Sequence, residues 1–79
     1  MDYNKYQFYL ESLGEVITEY ALEAKQNSNK AEKGSHKDFA DGYLSAYYRI
    51  VTLMQQHAEP YDISLEDLGL DKIREEDLM

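Results

Sequence analysis

The chain has no cysteine and no tryptophan, and only one proline in 79 residues. Without cysteine it has no disulfide framework, no thiolate zinc site and no cysteine nucleophile. Positive charge is also scarce: eight Lys and Arg stand against 16 Asp and Glu, a formal net charge of −8. Direct binding to a bare phosphate backbone needs clustered positive charge, so nucleic acid is not expected as a direct partner. Unbroken apolar runs reach only a few residues, far short of the roughly 20 that cross a bilayer, so no membrane partner is expected. No apolar run follows a basic stretch near the start, so no signal peptide is expected and the cytoplasm is the default location.

What remains is a chain for one domain, residues 1–79, that is 43% hydrophobic and 13% aromatic. That is too apolar for full disorder despite the charge. A domain this small buries only about 60% of the surface of its unfolded chain, so a partner or a second copy is a natural complement to its core.

Two long helices dominate the pattern. Tyr3, Tyr6, Leu10, Leu13, Ile17, Tyr20 and Ala24 recur at 3-4 spacing, one stripe of a helix over about residues 2–27. Tyr9 and Val16 widen it, Asp2 suits the N-cap, and Asn27, Ser28 and Asn29 suit the exit because their side chains compete for backbone groups. A second helix over about 36–58 carries two adjacent stripes. Phe39, Tyr43, Ala46, Ile50, Leu53 and His57 form the first; Ala40, Leu44, Tyr47, Val51, Met54 and Ala58 form the second. Pro60 closes it. A short connection makes the helices antiparallel neighbours. Ser64 followed by Asp67 predicts a capped short helix over about 64–69, folding back onto the second stripe and ending at Gly69. Residues 75–79 are expected to fray. The fold class is therefore all-α: an antiparallel helical hairpin with a short third helix. The face of the second helix is wider than one hairpin partner and a short tail cover, which predicts dimerisation into a helical bundle with those faces central.

If facing residues sum to about 62, Gly14 meets Tyr48 and Gly42 meets Tyr20. Each glycine then makes room for a ring, and Leu at either position destabilises the fold.

Charge is unevenly placed. Residues 1–24 carry a net −4, residues 25–37 a net +3 and residues 59–79 a net −6. In a hairpin this makes the termini end acidic and the loop end mildly basic. Glu11, Glu15, Glu19 and Glu23 form a row spaced by four. Such a row is a solvated face, a docking ridge for a basic protein, or a mimic of a phosphate row, since each step rises about 6 Å. The eight tyrosines fit either an interface or the margin of a small core.

Catalytic constellations are missing. His36 and His57 are the only histidines. They lie some 30 Å apart on one straight helix, too far to share a metal. His57 reads as a partly buried structural residue at a helix C-terminus. Asp62, Ser64, Glu66 and Asp67 suggest a calcium loop, but Asp67 occupies the sixth position, where glycine is required. There is no phosphate loop, no G-x-S-x-G and no H-E-x-x-H. No enzyme, cofactor or metal is expected.

The stretch Phe39-Ala40-Asp41-Gly42-Tyr43-Leu44-Ser45-Ala46-Tyr47-Tyr48, then Met54-Gln55-Gln56-His57-Ala58-Glu59 and Leu65-Glu66-Asp67-Leu68-Gly69-Leu70, resembles small uncharacterised acidic helical proteins of bacteria and prophages, across residues 38–71. The resemblance implies a helical fold and a bacterial or phage origin, and it carries no catalytic residue across. The expected function is a non-enzymatic, homodimeric interaction module. The alternative is an acidic inhibitor or nucleic-acid mimic that binds a DNA- or RNA-binding protein. Glu11, Glu15, Glu19, Glu23, Tyr47, Tyr48, Val51 and Met54 are the expected contacts.

Overall fold

The computed structural model describes residues 4–79, apart from the side chain of Ser35. Helix α1 spans Lys5–Lys30 and helix α2 spans Ser35–Ala58; three 3-10 turns follow, Glu59–Tyr61, Glu66–Leu68 and Glu75–Leu78. The two helices form an antiparallel hairpin, and the described residues contain no strand.

Both ends of α1 fall about three residues later than the sequence predicts. Asn4 is the N-cap: its side-chain oxygen accepts from the Tyr6 N–H at 2.8 Å. Asp2 lies outside the described residues. At the other end, Asn27, Ser28 and Asn29 stay helical. The Ser28 hydroxyl is occupied by α2, donating to the Asp41 carboxylate at 2.5 Å, and Lys37 donates to the Ser28 carbonyl at 2.7 Å. A tertiary partner has taken the group that would otherwise compete with the helix.

Asp41 also pairs with Lys37 at 3.1 Å. The Ser28 hydrogen bond first, and Lys37 second, hold its carboxyl below the usual value. A depressed carboxyl stabilises the fold at pH values above its unfolded value and loses that contribution as pH falls through its folded value. Asp41→Asn should therefore melt below wild type at pH 6, and the gap should close between about pH 4 and pH 2. Thermal melts across that range check it; a gap that stays constant to pH 2 contradicts it.

The core is thin and is built largely by the tail. Val51, Leu70 and Ile73 are the largest fully buried side chains, joined by Ala21, Ala58, Leu68 and Leu78. On α1 the buried stripe consists of small residues: Gly14, Thr18, Ala21, Ala24 and Ser28. The tail backbone lies directly on this stripe. A Cβ on Gly14 would stand 1.6 Å from the Leu68 carbonyl oxygen, and one on Gly69 would stand 2.1 Å from the Glu11 carbonyl oxygen. Gly69 also has a φ of 68°, which closes the Glu66–Leu68 turn. Thr18 Oγ1 donates to the Gly69 carbonyl at 3.3 Å. From α2, Gln55 Nε2 donates to the carbonyls of Leu70 and Ile73 at 3.3 and 2.9 Å. These bonds satisfy backbone groups that the irregular tail cannot pair within itself.

Several expectations change here. A single 3-10 turn, capped by Ser64 Oγ accepting from the Asp67 N–H, stands where a short helix over 64–69 was expected; its backbone sits on α1, while Leu65 and Leu68 reach the cluster that holds Val51, Met54 and Ala58 of the second α2 stripe. Residues 75–79 form another turn, with Leu78 buried, the Tyr48 hydroxyl on Glu75 and Lys25 on the Met79 carbonyl. Facing residues sum to about 67, as Tyr20–Tyr47 and Ser28–Asp41 show. Gly14 therefore meets the tail and not Tyr48, and nothing lies within 4 Å of a Cβ on Gly42.

Candidate interaction surface

The hairpin has two broad faces, and the tail covers only one. Contacts to the tail come from Gly14, Thr18 and Lys25 on α1 and from Tyr48 and Gln55 on α2. The other face is bare. On α1 it carries Tyr6, Tyr9, Leu13, Val16 and Tyr20, and on α2 Phe39, Tyr43, Ile50 and Leu53, all exposed. The two stripes join at an aromatic seam. Tyr20 meets Tyr47 edge-on at 6.4 Å, Tyr47 lies 5.3 Å from Tyr43, and Tyr43 lies 6.0 Å from Phe39. The Tyr43 hydroxyl beside it raises the Tyr47 phenol above its ordinary value, and the Glu75 carboxylate does the same to Tyr48.

The stripes predicted from spacing therefore exist, but their roles are divided. The second stripe of α2 turns inward. The first stripe of α2 and most of the large α1 stripe remain outside, because the tail needs the small-residue side of α1 for its backbone. Tyr3 lies outside the described residues.

Of the expected contacts, Val51 is corrected outright: it is 0% exposed, packed in the core with Ala21, Leu70 and Ile73. Tyr47, Tyr48 and Met54 are half-buried against that core. Tyr48 faces the tail through Glu75, and Met54 lines a cleft of about 160 Å³ with His57, Ala58, Tyr61, Ile63 and Leu68. His57 is exposed rather than partly buried, its ring 5.3 Å from that of Tyr61.

The glutamate row winds around α1, because residues four apart drift by about 40° per step. Glu11 is half-buried where the Gly69 backbone abuts it. Glu15, Glu19 and Glu23 are exposed and have no ion-pair partner among the described residues. Glu23 ends the row at a second cleft of about 160 Å³, lined by Ala24, Asn27, Phe39, Ala40 and Tyr43. The acids of the last turn, Glu75, Glu76 and Asp77, lie well up the hairpin toward the loop, since their turn ends on Lys25. The acidic block of the tail is therefore spread along the covered face, not gathered at the termini end.

The bare face is large. Tyr6 is 69% and Phe39 72% exposed. Tyr6, Tyr9, Tyr20, Phe39 and Tyr43 together expose roughly 600 Å² of residue surface, at about 200 Å² per aromatic residue. The aliphatic residues between them add to this, whereas the largest apolar patch on a typical monomer is about 300–600 Å² in all. The whole chain exposes 6195 Å², against about 4,900 Å² for a compact 9.2 kDa monomer. Its radius of gyration is 14.3 Å, against about 12 Å for a compact domain of this length.

No described helix is long and apolar enough to cross a membrane, and the described residues contain no cluster of three or more metal-ligating side chains. No protein-family model, curated protein or solved structure matches the chain.

Proposed function

We propose that the protein is a non-enzymatic interaction module that works as a homodimer through the tail-free face of its hairpin. The observation that supports this reading is the surface excess. About 1,300 Å² more is exposed than a compact monomer of this mass leaves in water, and a stable interface takes about 800 Å² from each partner. The resemblance to small acidic proteins of bacteria and prophages suggests a bacterial or phage origin, and the cytoplasm is the expected location by default. Sedimentation equilibrium at tens of micromolar should give twice the chain mass of 9.2 kDa. The dimer should persist in high salt, because screening leaves apolar burial untouched. A monomer mass throughout that range rejects the reading.

A second reading rests on Glu15, Glu19 and Glu23, exposed and without cationic partners among the described residues. They suit contact with a basic protein, as an acidic inhibitor or nucleic-acid mimic. Capture of a nucleic-acid-binding protein should then weaken steeply with salt, compete with nucleic acid and disappear when Glu11, Glu15, Glu19 and Glu23 are changed to Gln. Capture that survives those four changes removes this reading.

A further inference from the structure

The bare face is not uniform along its length, and its unevenness specifies how a second copy would lie on it. At the open end of the hairpin Tyr6 and Tyr9 stand up as knobs, 69% and 65% exposed. Toward the loop end of the same face lies the cleft between Ala24, Asn27, Phe39 and Tyr43. Knobs and cleft are separated by about 15 residues of α1, or roughly 22 Å. Within one molecule they never meet.

We infer that, granted the homodimer reading on which this rests, the two copies lie face to face and antiparallel, with Tyr6 and Tyr9 of each filling the loop-end cleft of the other. A two-fold axis that crosses α1 near Val16, midway between Tyr9 and the cleft residue Glu23, sets Tyr9 of one copy opposite residue 23 of the other. Helix α1 then packs on the other α1, and α2 on the other α2. Every neighbouring pair is antiparallel, which closes a four-helix bundle of the commonest kind. The contact is isologous, so one self-complementary patch serves both sides. A parallel two-fold would instead lay α1 on the other copy's α2, set Tyr6 and Tyr9 against positions near 58–61 and leave both clefts empty.

Charge at the rim agrees. The antiparallel arrangement sets the loop segment of each copy, residues 25–37 with a net charge of +3, at the same end as the exposed Lys5, Glu59 and Asp62 of the other copy, whose sum is negative. The parallel arrangement would oppose like charges at both ends. Such rim charges set orientation more than affinity.

The lack of cysteine makes the test direct. A single Lys33→Cys carrying a nitroxide reports the distance between the two loops by pulsed electron paramagnetic resonance. The antiparallel dimer places the labels near opposite ends of a body 53 Å long. A separation under half that length overturns the antiparallel arrangement. Tyr9→Glu and Leu53→Glu, both at exposed positions (65% and 60%), should keep their helical circular dichroism and weaken dimerisation at least a hundredfold. A dimer constant unchanged in both variants overturns the choice of face while leaving the homodimer reading intact. A wild-type protein that stays monomeric removes the homodimer itself and leaves the face to a different partner.

Discussion

Gly14→Ala should lower the melting temperature by more than 10 °C, while Gly42→Ala should leave it unchanged or raise it by a few degrees. The two glycines look alike in sequence, each in the interior of a helix at an intrinsic cost near 1 kcal/mol relative to alanine. Their surroundings differ completely. A methyl group on Gly14 overlaps the Leu68 carbonyl at 1.6 Å, and the obstacle is backbone, which cannot swing aside as a side chain can. The tail must lift, and lifting it loosens Leu68, Leu70 and Ile73 from the core. Overpacking of this severity costs about 3 kcal/mol or more, and 1 kcal/mol shifts the melting point of a domain this small by roughly 4–8 °C. Around Gly42 there is open space, so alanine gains helix propensity and meets nothing. Melts by circular dichroism at one fixed protein concentration decide the matter, since dimerisation makes the melting point concentration-dependent. A Gly14→Ala protein that melts with wild type would show that the tail does not rest on α1.

Leu70→Ala should cost about 2–5 kcal/mol, the usual range for emptying a fully buried leucine site. Leu70 is 0% exposed and lies in the cluster with Val51, Ile73 and Ala21. Total stability for 79 residues is of the order of 4–12 kcal/mol, so this one substitution removes a large share of it. Ile63→Ala, at a position 40% exposed, should cost no more than about 1 kcal/mol. Urea titration of both variants checks the contrast. Equal losses would mean that the tail adds no more to the core through Leu70 than through its exposed positions.

The helices themselves were legible in the sequence. Spacing at 3 and 4 gave two amphipathic helices and an antiparallel turn, because that periodicity follows from local geometry. Pro60 gave the end of α2, though not by excluding a helical predecessor: Glu59 keeps helical angles (φ −59°, ψ −51°) and the chain runs on into the Glu59–Tyr61 turn, while proline, having no N–H, cannot carry the α-helical ladder further. Asn27, Ser28 and Asn29 misled: they signal a helix exit locally, but Ser28 spends its hydroxyl on Asp41 and the helix continues. The frayed tail and the Gly–Tyr pairs also failed, for a common reason. Both depend on where a segment from far along the chain comes to rest.

The candidate surface was half legible. Both stripes of α2 and the large stripe of α1 were visible in the spacing, but spacing cannot say which stripe faces inward. Val51 and Phe39 are both apolar residues of α2, one on each of its two adjacent stripes, yet one is the centre of the core and the other is 72% exposed.

By itself, then, the sequence determined two helices, an excess of negative charge and more apolar surface than a lone hairpin can hide. These are properties of composition and of short-range periodicity, and no distant residue alters them. The tertiary structure alone decided which apolar face the molecule keeps and which it leaves in water. The tail approaches α1 backbone to backbone, and only the side bearing Gly14, Thr18 and Ala21 is flat enough to admit it. That steric requirement turned the small residues inward and left the rings of Tyr6, Tyr9, Tyr20 and Phe39 outside.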